Sequence, residues 1–149
     1  MITCTSQPSA TITISERGEV ICKTGVEGER RMKIVYIAGA YRSRFGLIGR
    51  AWNISRARKI AKMLWSMNIA AVCPHSNSAF MDRCASDSTF LRGDTEILKR
   101  CDAIVLMPGF ATSEGAQAEY FTAQQHGIPK FYVGFPSFES DIKRWRDMG

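Results

Sequence analysis

Apolar residues along this chain come in short runs, and stretches of helical spacing separate the runs. Lys33-Ile34-Val35-Tyr36-Ile37-Ala38 is almost continuously apolar, which predicts a strand buried on both faces. From Asn53 to Met67, Ile54, Ala57, Ala61, Leu64 and Trp65 share one helical face. Ile69-Ala70-Ala71-Val72-Cys73 predicts a second strand, stopped by Pro74. A second helix is expected over Phe90 to Cys101, and a third strand over 103–107. A Pro108-Gly109 break follows, then a helix from Ser113 to Gly127, capped at its start by Ser113 and ended by Gly127. Lys130-Phe131-Tyr132-Val133 is a fourth strand, and Ser137 to Asp147 a last amphipathic helix.

Residues 1–31 have a different pattern. Ala10 to Ile14 and Glu19 to Cys22 predict two short strands joined by a turn at Ser15-Glu16-Arg17-Gly18, and a polar linker follows. A lone hairpin is barely stable, so its apolar strands need a covering surface, the body or a second subunit. The expected organisation is therefore an N-terminal hairpin and linker (1–31) ahead of one domain (32–149). That domain is α/β, a flavodoxin-like (Rossmann-like) parallel sheet with helices on both faces.

Sheets of this kind bind ligands beyond the carboxyl ends of their strands. After the first strand come Gly39, Tyr41, Arg42 and Arg44; after the second, His75, Ser76 and Asn77; after the third, Pro108 to Glu114. The loop at 39–46 carries guanidinium groups suited to phosphate. It has neither the Walker pattern nor the dinucleotide Gly-x-Gly-x-x-Gly pattern. His75 either contacts ligand or bonds loop backbone. The N–H groups at the start of the Ser113 helix attract anions. Glu119 leans back over Gly115 and Ala116, whose small side chains leave room. It is either a pocket carboxylate or a solvated surface group. Asp94 falls on the apolar face formed by Phe90, Leu91, Ile97, Leu98 and Cys101. A charge there requires a partner or a cavity, unless the helix starts late and Asp94 is its N-cap.

Composition narrows the choices. Of 149 residues, 45% are hydrophobic, which suits one globular domain. The net charge of +6 favours an anionic ligand, but no basic block points to a nucleic-acid polymer. The five cysteines are dispersed without a Cys-x-x-Cys pair, as expected of reduced thiols in the cytoplasm. Cys73, His75 and Cys84 do not have a metal spacing, and no cofactor is expected. No apolar run is long enough for a membrane span, and no signal-peptide pattern opens the chain.

Three ordered segments resemble the nucleoside 2-deoxyribosyltransferase superfamily. They are Lys33 to Gly39, the Asp94 helix running into Cys101-Asp102, and Ser113-x-Gly-Ala-x-x-Glu119. The resemblance covers residues 32–133. It implies that Glu119 attacks the sugar anomeric carbon, that Tyr36 orients it, and that Asp94 assists near sugar and base. It also implies a ligand pocket drawn from Gly39, Tyr41, Arg42, His75, Asn77, Ser113, Gly115 and Ala116. In the transferase branch an aspartate stands at the position of Ser113. In the nucleotide-hydrolase branch a serine there, and an arginine matching Arg42, hold a 5′-phosphate. The expectation is thus hydrolysis of a 2′-deoxynucleoside 5′-monophosphate. Base exchange by a deoxyribosyltransferase and non-catalytic nucleotide binding are the alternatives. Family members complete their sites across subunits, so a homo-oligomer is expected.

Overall fold

The computed structural model describes residues 11–14, 20–23, 31–40, 46–78, 81 and 84–148. The expected hairpin turn at 15–18, Tyr41, Arg42 and Arg44 lie outside the described residues, as does the side chain of His75. The chain divides into two compact units, 1–31 and 32–149. In the first, β1 (Thr11–Ile14) pairs antiparallel with β2 (Val20–Lys23), with Ile12 opposite Cys22.

The second unit is a four-stranded parallel sheet in the order β4-β3-β5-β6. Its strands are β3 (Ile34–Ala38), β4 (Ala70–Val72), β5 (Ala103–Leu106) and β6 (Lys130–Tyr132). The two most apolar strands take the centre, where both faces are covered, while β4 and β6 are half-buried edges. Side chains alternate along each central strand. Val35, Ile37, Ala103 and Val105 pack with Ala57 and Leu64 of α1 (Gly46–Ser66) and with Phe138 and Ile142 of α5 (Phe138–Asp147). Tyr36, Ala38, Ile104 and Leu106 pack on the other face with Leu98 of α3 (Asp87–Leu98) and Ala123 of α4 (Glu114–Gln125). This is the expected α/β sheet with helices on both faces.

Helix ends follow from local chemistry. Asn68 (φ 59°) and Gly127 (φ 65°) both take the left-handed conformation just past a helix. Ile69 N–H then bonds Leu64 C=O at 3.0 Å, and Ile128 N–H bonds Ala123 C=O at 2.9 Å. Each is the Schellman closure, in which an apolar residue after the turn packs back on the helix.

Several elements differ from expectation. α1 begins at Gly46, not Asn53, because its first turns expose Leu47, Ile48 and Trp52 and show no core pattern. Trp65, expected on the apolar face, is 54% exposed, since it lies about 100° around the helix from Leu64. Pro74 does end β4, but it also opens a short helix, α2 (Pro74–Asn77), as the first helical residue. α3 starts at Asp87 rather than Phe90, with Ser86 accepting a hydrogen bond from Thr89 N–H at 3.3 Å. Asp94 is therefore mid-helix, and the late-start, N-cap reading of it is wrong. Leu91 and Ile97 are exposed because they sit at the two margins of the stripe centred on Asp94.

Candidate functional site

The site grows from β3 and α4. Tyr36 stands mid-strand and points to the face covered by α3 and α4. α4 buries a stripe of Ala116, Glu119 and Ala123, spaced three and four residues apart. The two alanines let the helix sit close to the sheet, and the glutamate between them reaches the strand. Tyr36 Oη donates a hydrogen bond of 2.6 Å to Glu119 Oε1. Glu119 is only 7% exposed, and its Oε2 is buried without a hydrogen-bond partner among the described residues. The surface reading of this residue is excluded.

Burial pushes the Glu119 carboxyl up to about 8; the Tyr36 hydrogen bond opposes that shift and the charge of Asp94 adds to it. Burial, and then the adjacent Glu119, hold the Tyr36 phenol far above its ordinary range. Asp94 is half-buried, and burial raises its carboxyl too. Its charge acts on both Tyr36 and Glu119, so the three groups form one electrostatic cluster. Cys101 adjoins this cluster, with its thiol raised to about 11 by burial and by Asp102.

Ser113 is the N-cap of α4, its Oγ accepting a long bond of 3.5 Å from Ala116 N–H. Gly109 (φ 87°) turns the chain out of β5 into a 3₁₀ turn (Phe110–Thr112) that leads to Ser113. The gap expected beside Gly115 is partly closed. A Cβ there would lie 3.7 Å from Leu91 Cδ2 of α3, so the space is walled by a neighbouring helix rather than open. Ala116 is buried and Gly115 half-buried. Gly39 stands just past the end of β3. His75 and Asn77 belong to α2, and the Asn77 side chain is exposed. Asp102 lies away from the site, at the amino ends of the strands, where its Oδ2 accepts a 2.7 Å bond from Ile34 N–H and ties β3 to β5.

Of two further features, the first was read in the sequence only as part of a ligand segment and the second was not read. Ser76 Oγ is buried without a partner among the described residues, although Ser76 stands in the expected ligand segment after β4. Asn53 and Arg56 of α1 border a notch at the ends of β3 and β5. Asn53 continues the stripe Ala57, Ala61 and Leu64 one turn toward the helix start, and a polar residue at that position was the available signal. Among the described residues, no group of three or more His, Cys, Asp or Glu side chains is placed to hold a metal, and no helix is long and apolar enough to cross a membrane.

The structure is similar to that of a 2-deoxyribosyltransferase from the psychrotolerant bacterium Bacillus psychrosaccharolyticus. The TM-score is 0.52 at 14% identity, over 66% of this chain and 70% of that one. A 2-deoxyribosyltransferase from Leishmania mexicana has a TM-score of 0.48 at 16% identity, over 67% of this chain and 63% of that one. The fold is thus nucleoside 2-deoxyribosyltransferase-like. No curated protein matches the chain in sequence. The model of a domain of unknown function, DUF4406, matches residues 33–132, and the chain belongs to that family.

Proposed function

We propose that this protein cleaves the N-glycosidic bond of a 2′-deoxynucleoside 5′-monophosphate and releases free base and deoxyribose 5-phosphate. The observation that carries this reading is Glu119: a buried carboxyl with one oxygen held by Tyr36 and the other unpartnered among the described residues. Cleavage of this bond builds positive charge on the sugar, and a carboxylate in a dry site stabilises that charge or bonds to it. In the first step an oxygen of ionised Glu119 forms a bond to the anomeric carbon. The base leaves with the bonding electron pair and takes a proton from the Asp94 carboxyl, whose hold on a proton burial strengthens. In the second step water attacks the same carbon, releases Glu119 as carboxylate and gives its proton to the Asp94 carboxylate. Tyr36 holds the attacking group in one rotamer. Ser113 and the N–H groups that open α4, with Arg42 by resemblance, suit the phosphate.

Incubation with the common nucleotides and nucleosides, with released base read by chromatography, tests this. Free base from the monophosphates without any added acceptor is the expected result. Base appearing only when a second base is supplied would make the protein a deoxyribosyltransferase, the activity of its structural neighbours. Nucleotide recovered bound and intact would make it a binder.

Asp94→Asn is expected to lower base release by roughly 10²-fold, the range of a lost acid–base group. The variant should still fold, because Asp94 caps nothing. Full activity in this variant would remove Asp94 from the chemistry.

A further inference from the structure

α3 and α4 meet in two layers. The deeper layer is charged: Asp94 of α3 acts on Glu119 of α4. One turn nearer the helix starts, Leu91 stands three residues before Asp94, and Gly115 four residues before Glu119. There the helices touch. A Cβ at Gly115 would lie 3.7 Å from Leu91 Cδ2, and no other described residue outside α4 comes within 4 Å of it. Side chains on a helix lean toward its start, so the Glu119 carboxyl lies beneath Gly115 and Ala116. Leu91, seated on Gly115, closes the approach to that carboxyl from between the helices.

This cover is tight but thin. Glu119 is 7% exposed and its Oε2 is sealed from solvent, whereas Leu91 itself is 50% exposed. An oxygen sealed from water is sealed from a sugar too, so a group must move before Oε2 can react. A half-exposed leucine has few contacts to lose, and exposed side chains change rotamer within nanoseconds. Gly115 leaves it bare backbone to rest on and to leave.

We propose that Leu91 is the movable cover of Glu119, which keeps the carboxyl dry at rest and swings off Gly115 to admit the ligand. It is a positioning residue that acts through Glu119. The shielding stands whatever the ligand is; the admitting role rests on the reading of Glu119 as nucleophile. The described titratable groups around the carboxyl are Tyr36 from β3, Asp94 from α3 and, beside Tyr36, Cys101 after α3. Leu91 carries no charge, so replacing it changes the burial of Glu119 and leaves those groups in place.

The shielding is tested without ligand, by carbon-13 NMR titration of the Glu119 carboxyl, assigned by its loss in Glu119→Gln. Leu91→Ala should lower the midpoint from about 8 by about one pH unit or more, a tenfold change in ionisation constant. Leu91→Met keeps an apolar cover and should leave the midpoint in place. So should Ile97→Ala, which trims the other margin of the same helix stripe. Thermal melts at pH 5 check that each variant is folded. An unmoved midpoint in Leu91→Ala, or an equal fall in Ile97→Ala, would overturn the cover. The admitting role is tested by kinetics. Gly115→Ala puts a methyl in ordinary contact with Leu91 and should pin it, raising KM for the monophosphate about 10-fold with kcat little changed. Leu91→Ala in the same chain should restore KM, because the two changes share one space. Losses that simply add would overturn the admitting role. A shifted titration without base release by any variant removes the nucleophile reading and leaves Leu91 as the cover.

Discussion

Glu119→Ala and Glu119→Gln should each reduce base release by on the order of 10³-fold or more, the scale seen when a nucleophile is removed. The argument is geometric. Glu119 is the buried charged residue of α4, its Oε1 lies 2.6 Å from Tyr36 Oη, and its Oε2 has no described partner to occupy it. Gln retains the Tyr36 hydrogen bond and nearly the same volume, so its loss of activity would report the missing charge rather than a collapsed pocket. Ala leaves the Tyr36 hydroxyl unpaired and should cost an additional ~1–3 kcal/mol of stability. Activity should also follow ionisation. The attacking form is the carboxylate, and the free protein holds it protonated below about pH 8. Wild-type kcat/KM should therefore climb as pH rises toward that value. A Gln variant with near-normal turnover would end the nucleophile assignment, and a flat profile between pH 6 and about 8 would separate catalysis from Glu119 ionisation.

Much of the fold was legible because its determinants are local. Near-continuous apolar strands such as 34–38 and 103–106 can only be buried, and the Ser113 cap and the Gly127 stop mark α4 without knowledge of anything else. Glu119 was legible for a related reason, since its spacing from Gly115 and Ala116 is fixed by the helix. What escaped was non-local. The start of α1 carries exposed Leu47, Ile48 and Trp52, so no core pattern announces it. The polar stretch Ser86 to Thr89 reads as loop until Ser86 is seen to cap a helix. The notch at Arg56 needs the strand order, because only the adjacency of β3 and β5 brings Gly39 and Pro108 together. Leu91 closing over Gly115 likewise needs the packing of α3 on α4, which no spacing within one helix reveals.

The same buried carboxyl should make the stability of the fold depend on pH, whatever the protein does to a ligand. In the unfolded chain Glu119 ionises near its ordinary value of 4.5, and in the folded chain near 8. Between those values the native state holds a proton that the unfolded state has released. Stability then falls as pH rises, is fully present below about 4.5, and is lost by the time pH has passed about 8. The size of the shift corresponds to roughly 3–5 kcal/mol. That is a large share of the stability of a domain of this size, and worth about 10 °C in midpoint. Glu119→Gln mimics the protonated form and cannot ionise. It should melt close to wild type at pH 5, then progressively above it up to pH 9. Two further variants fix the cause. Tyr36→Phe removes the hydrogen bond that lowers the Glu119 value, so the window should extend to higher pH; Asp94→Asn removes the charge that raises it, so the window should contract. Thermal midpoints of the four proteins from pH 4 to 10 decide the matter. Parallel curves for wild type and Glu119→Gln would mean that Glu119 is ionised in the folded protein at neutral pH, and that the pocket around it is wet.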